Sequence, residues 1–211
     1  MMSGRDQILS AVRARKPKGS ALTGGAGRQA LLPPRFVREA GDLTALFLRK
    51  LESASASHAT VRSFDDVPRH LATWLNEQRL TCEFILAREG SLTSLAWQDA
   101  KLHPLSTAPD PLSPMTIVSG AFAGVAETGS IAMTSNGASR PSHNLLAETH
   151  VVVLEHSRIL ASIEDVWRDM YAAGLPRAIA FITGPSRTAD IEMTVELGVH
   201  GAVRVHVVIV G

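Results

Sequence analysis

A length of 211 residues with 45% hydrophobic content predicts one globular domain with a sizeable core. The formal net charge of +1 excludes the strong positive field with which nucleic-acid-binding and membrane-surface proteins attract their partners. A single cysteine, Cys82, excludes an intramolecular disulfide and a four-thiolate zinc or iron–sulfur site, and no apolar run is long enough for a membrane span or a signal peptide. We therefore expect a soluble protein of the reducing cytoplasm.

The N-terminal segment is predicted to stand apart from the rest of the chain. A narrow apolar stripe predicts a helix over residues 3–15. Residues 18–34 are rich in glycine and end in two prolines, which indicates a linker. The predicted organisation is an N-terminal helix and linker, 1–34, followed by one α/β domain, 35–211.

The next part of the chain alternates helices with short apolar strands. Helical spacing predicts a helix over 42–53, with Asp42 as its N-cap, and strands are predicted at 59–62 and 82–87. A second helix between these strands has its apolar face formed by Val67, Leu71, Trp74 and Leu75. This strand–helix–strand order predicts parallel pairing of the two strands. Cys82 is predicted to be a small buried hydrophobe.

Apolar runs dominate the second half of the chain. Further strands are predicted at 116–119, 124–126, 130–134, 151–154, 179–183 and 203–210, with a small helical link at 120–123. The runs VVVL at 151–154 and IAFIT at 179–183 are typical of strands buried on both faces of a parallel sheet. The last strand alternates Arg204 and His206 with valines, which predicts a half-exposed edge strand.

The best-marked helix begins after Ser162. Ser162 and Asp165 have the spacing of a capping box, and Gly174 is placed to end the helix. The helices and strands together predict a three-layer α/β/α sandwich with a mostly parallel sheet, in which ligands bind beyond the carboxyl ends of strands. The predicted core stripe of this helix consists of Ile163, Val166, Trp167, Met170 and Tyr171.

The loop after IAFIT, GPSRTADIE, carries groups suited to a carboxylate or a phosphate. Gly184 stops the strand, and Ser186, Arg187 and Thr188 then offer two hydroxyls, a guanidinium and backbone N–H groups before Asp190. The structural alternative is that a hydroxyl caps a helical turn while Arg187 pairs with a nearby carboxylate.

A second polar stretch follows the strand predicted at 124–126. Glu127 lies beside Thr128 and the flexible Gly129, where partial burial would make it a base or an acyl-accepting nucleophile. As a structural residue, Glu127 would instead accept backbone N–H bonds from the turn or pair with Arg187.

Three further polar positions are candidate site residues. Glu148 and His150 alternate before a buried strand, so they share a face and form either an acid–base pair or an edge hydrogen bond without chemistry. His200 lies between Gly198 and Gly201, which allow close backbone approach to a ligand, although a satisfied loop histidine is the alternative. No histidine cluster has the H-E-x-x-H spacing, so no metal site is predicted.

Four segments together resemble the lactate-utilisation (LUD) domain family: AETGSIAMTS, the AETH before VVVL, ITGPSRTADIE and GVHGAVRVHVVIV. The resemblance implies an α/β/α sandwich similar to CoA transferases, ribose-5-phosphate isomerase and glucosamine-6-phosphate deaminase. It also implies a part in the oxidation of L-lactate to pyruvate alongside iron–sulfur partner proteins. No cofactor is then expected on this chain, and the iron–sulfur clusters are expected in the partners.

Three functions follow as hypotheses. The first is a subunit that binds a small carboxylate through Ser186, Arg187 and Thr188, with Glu127 and His200 near the reactive carbon. The second is a stand-alone enzyme, similar to a CoA transferase or a sugar-phosphate isomerase, with Glu127 as nucleophile or base. The third is a non-catalytic scaffold for the partner proteins.

Overall fold

The computed structural model describes Arg5, Ser10 and residues 42–87, 90–105, 115–135, 147–189, 195–197 and 201–211. For 187–189 and 195–197 only the backbone is described. The chain divides into two units, residues 1–36 and 37–211. In the first unit, Arg5 and Ser10 are helical and exposed. The rest of the predicted N-terminal helix and linker lies outside the described residues, and the predicted division at residue 34 stays a prediction.

The described elements follow the predicted alternation of helices and strands. The helices are α1 (Leu43–Ser53), α2 (Val67–Glu77), α3 (Gly90–Thr93) and α4 (Ile163–Ala173), with 3-10 turns at Phe64–Asp66, Trp97–Ala100 and His156–Arg158. The strands are β1 (Ser57–Val61), β2 (Glu83–Leu86), β3 (His103–Leu105), β4 (Thr116–Gly120), β5 (Ala123–Val125), β6 (Ser130–Thr134), β7 (Thr149–Glu155), β8 (Ile159–Leu160), β9 (Ile179–Ile182), β10 (Arg187–Ala189), β11 (Val195–Leu197) and β12 (Arg204–Val210). None of the helices in the described ranges has the length and hydropathy required to cross a membrane.

The larger sheet has six strands in the order β1-β12-β7-β4-β2-β3, and every pairing in it is parallel. We call the side where its strands begin the amino edge, marked by Thr149 on β7, and the side where they end the carboxyl edge, marked by Glu155. The predicted α/β fold with a mostly parallel sheet is confirmed. The direct pairing predicted for β1 and β2 is wrong, because β12, β7 and β4 lie between them.

Alternating side chains of β7 and β12 are buried on both faces of the larger sheet. On one face, Val153 and Val208 pack in a cluster with α2. On the other face, Leu154 and Ile209 pack with α1 and with a second sheet. The half-exposed edge predicted for the last strand is wrong, because β12 lies between β1 and β7 and is buried from Val205 to Val210.

The second sheet, in the order β8-β5-β6-β9, covers the α1 side of the larger sheet. Its β6 pairs antiparallel with both β5 and β9, whereas β5 and β8 are parallel. The sequence did not predict this sheet. The run IAFIT forms its edge strand β9, which is half-buried along its length rather than buried in a parallel sheet. The helical link predicted at 120–123 is also wrong, since β4 extends to Gly120 and β5 begins at Ala123.

The local capping signals of α1 and α4 predicted the starts of these two helices correctly, but two predictions of burial were wrong. Asp42 caps α1 and the capping box of Ser162 begins α4, as predicted. On α4 only Val166 and Met170 are buried, because this helix packs against the small second sheet alone. The two aromatic members of the predicted stripe, Trp167 and Tyr171, are 37% and 65% exposed. Cys82 is exposed rather than buried, because it precedes the first residue of β2 and lies outside the sheet.

Candidate functional site

Two polar segments that are far apart in the sequence meet beside the C-terminal end of α1. Thr128 Oγ1 donates to Ser130 Oγ over 2.8 Å, and Ser130 Oγ lies 2.6 Å from Thr183 Oγ1. The antiparallel register of β6 and β9 causes this contact, because it sets the first residue of β6 beside the end of β9. We call these three side chains, Thr128, Ser130 and Thr183, the hydroxyl chain. Because they lie beside the end of α1, and α1 ends just before β1 begins, the hydroxyl chain lies at the amino edge of the larger sheet.

Two glycines in these segments allow α1 to pack against them. Gly129 and Gly184 have φ angles of +71° and +78°, which residues with a side chain rarely adopt. A Cβ atom on Gly129 would lie 2.7 Å from the carbonyl carbon of Lys50, and a Cβ atom on Gly184 would overlap the carbonyl oxygen of Ala54. Both positions therefore require glycine for the packing of α1.

Glu127 contacts the start of α4. Its Oε1 atom accepts a hydrogen bond of 3.0 Å from the backbone N–H of Ile163, the first residue of that helix. A carboxylate in this position satisfies an unpaired helical donor and interacts favourably with the helix dipole. The half-buried Glu127 thus has a structural contact, although its donor lies in α4 and not in its own turn, as the structural alternative expected. Its role as nucleophile or base stays a prediction.

The loop after β9 contacts the segment that leads into β12. The backbone N–H of Ser186 donates to the carbonyl oxygen of Ala202 over 2.8 Å. A Cβ atom on Gly201 would lie 3.3 Å from Ser186 Cβ, so the two backbones approach closely here. Ser186 and Gly201, both half-buried, therefore belong to one surface.

Glu148 and His150 each bond to a neighbouring strand. Glu148 Oε1 lies 3.1 Å from Arg204 Nη1, in an ion pair whose side chains are 34% and 41% exposed. His150 is fully buried, with Nε2 2.7 Å from Ser119 Oγ on β4. The geometry matches the structural alternative for both residues, since their hydrogen bonds fix β7 against β12 and β4.

Four predicted site residues are not placed by the described side chains. Asp190 and His200 lie outside the described residues. The backbone of Arg187 and Thr188 begins β10, which pairs antiparallel with β11, but their side chains are not described. Their roles stay predictions. In the part of the chain that the structure describes, no three His, Cys, Asp or Glu residues are grouped to hold a metal ion.

A buried histidine cluster between β12, β1 and α2 was missed by the sequence reasoning. His206 Nδ1 lies 2.8 Å from Ser57 Oγ, and its Nε2 lies 3.0 Å from His70 Nε2. Burial lowers the pKa of His206 to about 3, and the nearby His70 and His58 act in the same direction. The four-residue spacing of His70 and Trp74 on α2 was the available signal, because both rings stack on His206.

The fold and these contacts can now be compared with known proteins. Residues 112–210 match the family model of the LUD domain. The matched range is similar to a LUD domain. It contains β4 to β12, and with them the hydroxyl chain and the Ser186–Gly201 contact.

Curated proteins that are similar to this chain carry the name lactate utilization protein C. The protein of Halalkalibacterium halodurans is 34% identical over 91 residues, which are 41% of this chain and 40% of that protein. The protein of Bacillus subtilis is 35% identical over 91 residues, 41% of this chain and 38% of that protein. Lactate utilization protein C 1 of Bacillus mycoides is 28% identical over 146 residues, 64% of this chain and 58% of that protein. The match to the first two therefore spans about two fifths of their length.

A solved structure shares the fold. The crystal structure of a DUF162 family protein from Deinococcus radiodurans aligns with a TM-score of 0.58 and 18% identity. The alignment covers 80% of this chain and 96% of the other. The arrangement of sheets and helices in this chain is thus found in an experimentally determined structure.

Proposed function

We propose that this chain takes part in L-lactate utilisation and binds a small carboxylate at the amino edge of its larger sheet. The observation that carries the proposal is the convergence of two polar segments, seen in the 2.6 Å contact between Ser130 and Thr183. The contact of Ser186 with Ala202 adds the third segment to the same edge. The names of the relatives support lactate utilisation as the process.

The carboxylate is held by the loop that follows β9. Glu127, Gly129 and Gly184 already have structural roles, so they are the weaker candidates for ligand contact. Ser186 and Arg187 follow Gly184 in the same loop and supply a hydroxyl and a guanidinium, which pairs with carboxylates in a bidentate manner. Thr188 adds a second hydroxyl, and His200 is placed in sequence to exchange a proton with the bound ligand.

We propose that this chain works together with partner proteins. Oxidation of L-lactate to pyruvate releases two electrons and two protons, so an electron acceptor is required. The single cysteine cannot supply the four thiolates of an iron–sulfur cluster. We therefore assign the electron carriers to iron–sulfur partner proteins in the cytoplasm, and the substrate-handling role to this chain.

Direct binding measurements test the carboxylate site. Lactate and pyruvate are titrated into the wild-type chain, Arg187→Ala and a matched control, Arg177→Ala, which removes an exposed arginine near the other end of β9. Loss of a charge-assisted contact is expected to weaken binding by about tenfold or more in Arg187→Ala, and the control should bind as the wild type does. Equal affinity in Arg187→Ala and the wild type would contradict the proposal that Arg187 binds the carboxylate.

A further inference from the structure

A cleft of about 580 Å³ lies at the carboxyl edge of the larger sheet, on the side opposite the proposed carboxylate site. Gly120 and Ala121 line it at the end of β4, and Glu155 lines it at the end of β7. The length of β7 separates the two edges by about 20 Å, at roughly 3.3 Å per residue. The cleft has the volume of a small-molecule site, commonly about 300 to 1,000 Å³.

The chain topology places this cleft where ligands are usually found in open α/β sheets. After β2 the chain turns to the α2 side of the sheet, where Leu92 and Trp97 are buried. After β4 and β7 it turns to the other side and forms the second sheet. The cleft lies between these diverging segments, with Ser91 on one wall and Ala121 on the other. Crevices at such switch points, beyond the carboxyl ends of strands, are the general binding position of this architecture.

Among the described residues that line the cleft, Arg158 is the only one with a cationic side chain, and it already has its partners. Arg158 Nη1 lies 3.1 Å from Asp169 Oδ2, and its Nε donates to the carbonyl oxygen of Phe122 over 3.0 Å. The guanidinium also lies 4.7 Å from the centroid of the Phe122 ring. Its charge is therefore balanced by Asp169 and held against the wall, which leaves the Glu155 carboxylate to set the local charge.

The remaining groups among the described lining residues are electronegative. Glu155 is exposed, and within the described part of the chain its carboxylate has no hydrogen-bond or ion-pair partner. The last residues of α4, Ala172 and Ala173, also line the cleft, at the end where a helix presents its negative dipole and unpaired carbonyl groups. An anion is disfavoured by these groups and a cation is favoured.

We infer that this carboxyl-edge cleft binds a small organic cation. Glu155 pairs with its ammonium group, while Phe122 and the alanines at 121, 172 and 173 contact its apolar part. An ammonium group near the end of α4 can also donate hydrogen bonds to the unpaired carbonyl groups at the end of this helix. This site goes beyond the proposed carboxylate site and does not depend on it.

Three probes of matched shape and different charge test the inference. Phenethylamine, 2-phenylethanol and 3-phenylpropionate are titrated separately into the full chain, and binding is followed by backbone amide chemical shifts. The amine is expected to bind at least fivefold more tightly than the alcohol, with shifts at Ala121 and Ala172, and the carboxylate is expected to bind least. Equal or tighter binding of the alcohol or the carboxylate overturns the inference, as do amine-induced shifts confined to the amino edge or no binding of the amine at millimolar concentration.

Variants locate the charge that is responsible. Glu155→Gln keeps the shape of the side chain and is expected to weaken amine binding by about fivefold. Glu83→Gln, which changes an exposed carboxylate at the start of β2, is the control and should leave the affinity unchanged. Unchanged amine affinity in Glu155→Gln overturns the assignment. Lactate titrations of Arg187→Ala report on the other edge alone, so either site can fail without the other.

Discussion

The imidazole ring of His206 is stacked on the indole ring of Trp74, with ring centroids 4.3 Å apart and an angle of 13° between the planes. Ser57 and His70 contact the two ring nitrogens, and the residue is 2% exposed. Burial lowers the pKa of His206 to about 3, below the ordinary value of 6.5. The ring is therefore neutral in the folded protein at neutral pH.

This depressed pKa predicts a loss of stability in acid. Between pH 6.5 and about 3 the unfolded chain binds a proton at His206 that the folded chain does not, so stability falls as the pH falls through this range. The contribution lost is about 1.5 kcal/mol between pH 6.5 and pH 5. Urea unfolding at several pH values measures it. His70, whose pKa burial also lowers, acts in the same direction.

The variant His206→Gln isolates this contribution, because it keeps a polar side chain but has no group that titrates. Its stability is lower at pH 6.5, since the stacking on Trp74 is lost, but its decline between pH 6.5 and pH 5 should be smaller than that of the wild type. Identical slopes in the two proteins would show that His206 is not the titrating group.

Cys82 is predicted to react in the folded protein. It lies before β2 and is exposed, so its thiol is accessible to a reagent such as dithionitrobenzoate without denaturant. One thiol per chain should react, as the composition requires, and Cys82→Ser should give no signal. A thiol that reacts only after addition of urea would contradict the exposure of this residue.

Signals that lie close together in the sequence were sufficient to predict the starts of α1 and α4. Asp42 bonds to residues at most three positions further on, and so does Ser162 in its box with Asp165. Each local sequence pattern therefore contains the whole interaction. Strand order depends on contacts between distant residues. The alternation of His206 with valines is typical of an edge strand, but β12 lies between β1 and β7, and His206 is buried with bonds to Ser57 and His70, more than 130 residues away.

The candidate site shows the same division. The sequence identified which residues are polar and close to strand ends, and the structure brings Thr128 and Ser130 to Thr183 as one group. It could not decide between a chemical and a structural role for Glu127, because the partner, the N–H of Ile163, lies 36 residues further on. The second sheet was missed for a related reason: its pairings of β5 with β8 and of β6 with β9 cross long separations, and its short strands have no periodic pattern of their own.

Glu127 is predicted to stabilise the start of α4. Glu127→Ala leaves the N–H of Ile163 without its acceptor and should lower the free energy of unfolding by about 1 kcal/mol. Glu127→Gln keeps a carbonyl oxygen as acceptor and loses only the charge, which is worth about 0.3 to 1 kcal/mol near a helix N-terminus. Urea unfolding of both variants measures which substitution lowers the free energy of unfolding more, and Glu127→Ala is expected to do so.

A control for the charge effect is Glu164→Ala, in the first turn of the same helix. This residue shares the interaction with the helix dipole, so its loss should cost no more than Glu127→Gln does. Glu127→Ala and Glu164→Ala with equal effects would mean that the hydrogen bond to Ile163 contributes nothing beyond charge.

Gly184 is predicted to be essential for the packing of α1 against the candidate site. Gly184→Ala places a Cβ atom on the carbonyl oxygen of Ala54, which cannot move without shifting the end of α1. The φ angle of +78° adds a backbone cost of about 1 to 2 kcal/mol, and the overlap adds about 1 to 3 kcal/mol. We expect a total loss of about 3 kcal/mol or more in urea unfolding.

Gly174→Ala separates the two causes, because Gly174 has a φ angle of +94° but no atom of the described residues within 4 Å of the position that its Cβ would take. It should show the backbone cost alone, and equal losses in the two variants would mean that contact with α1 does not constrain Gly184.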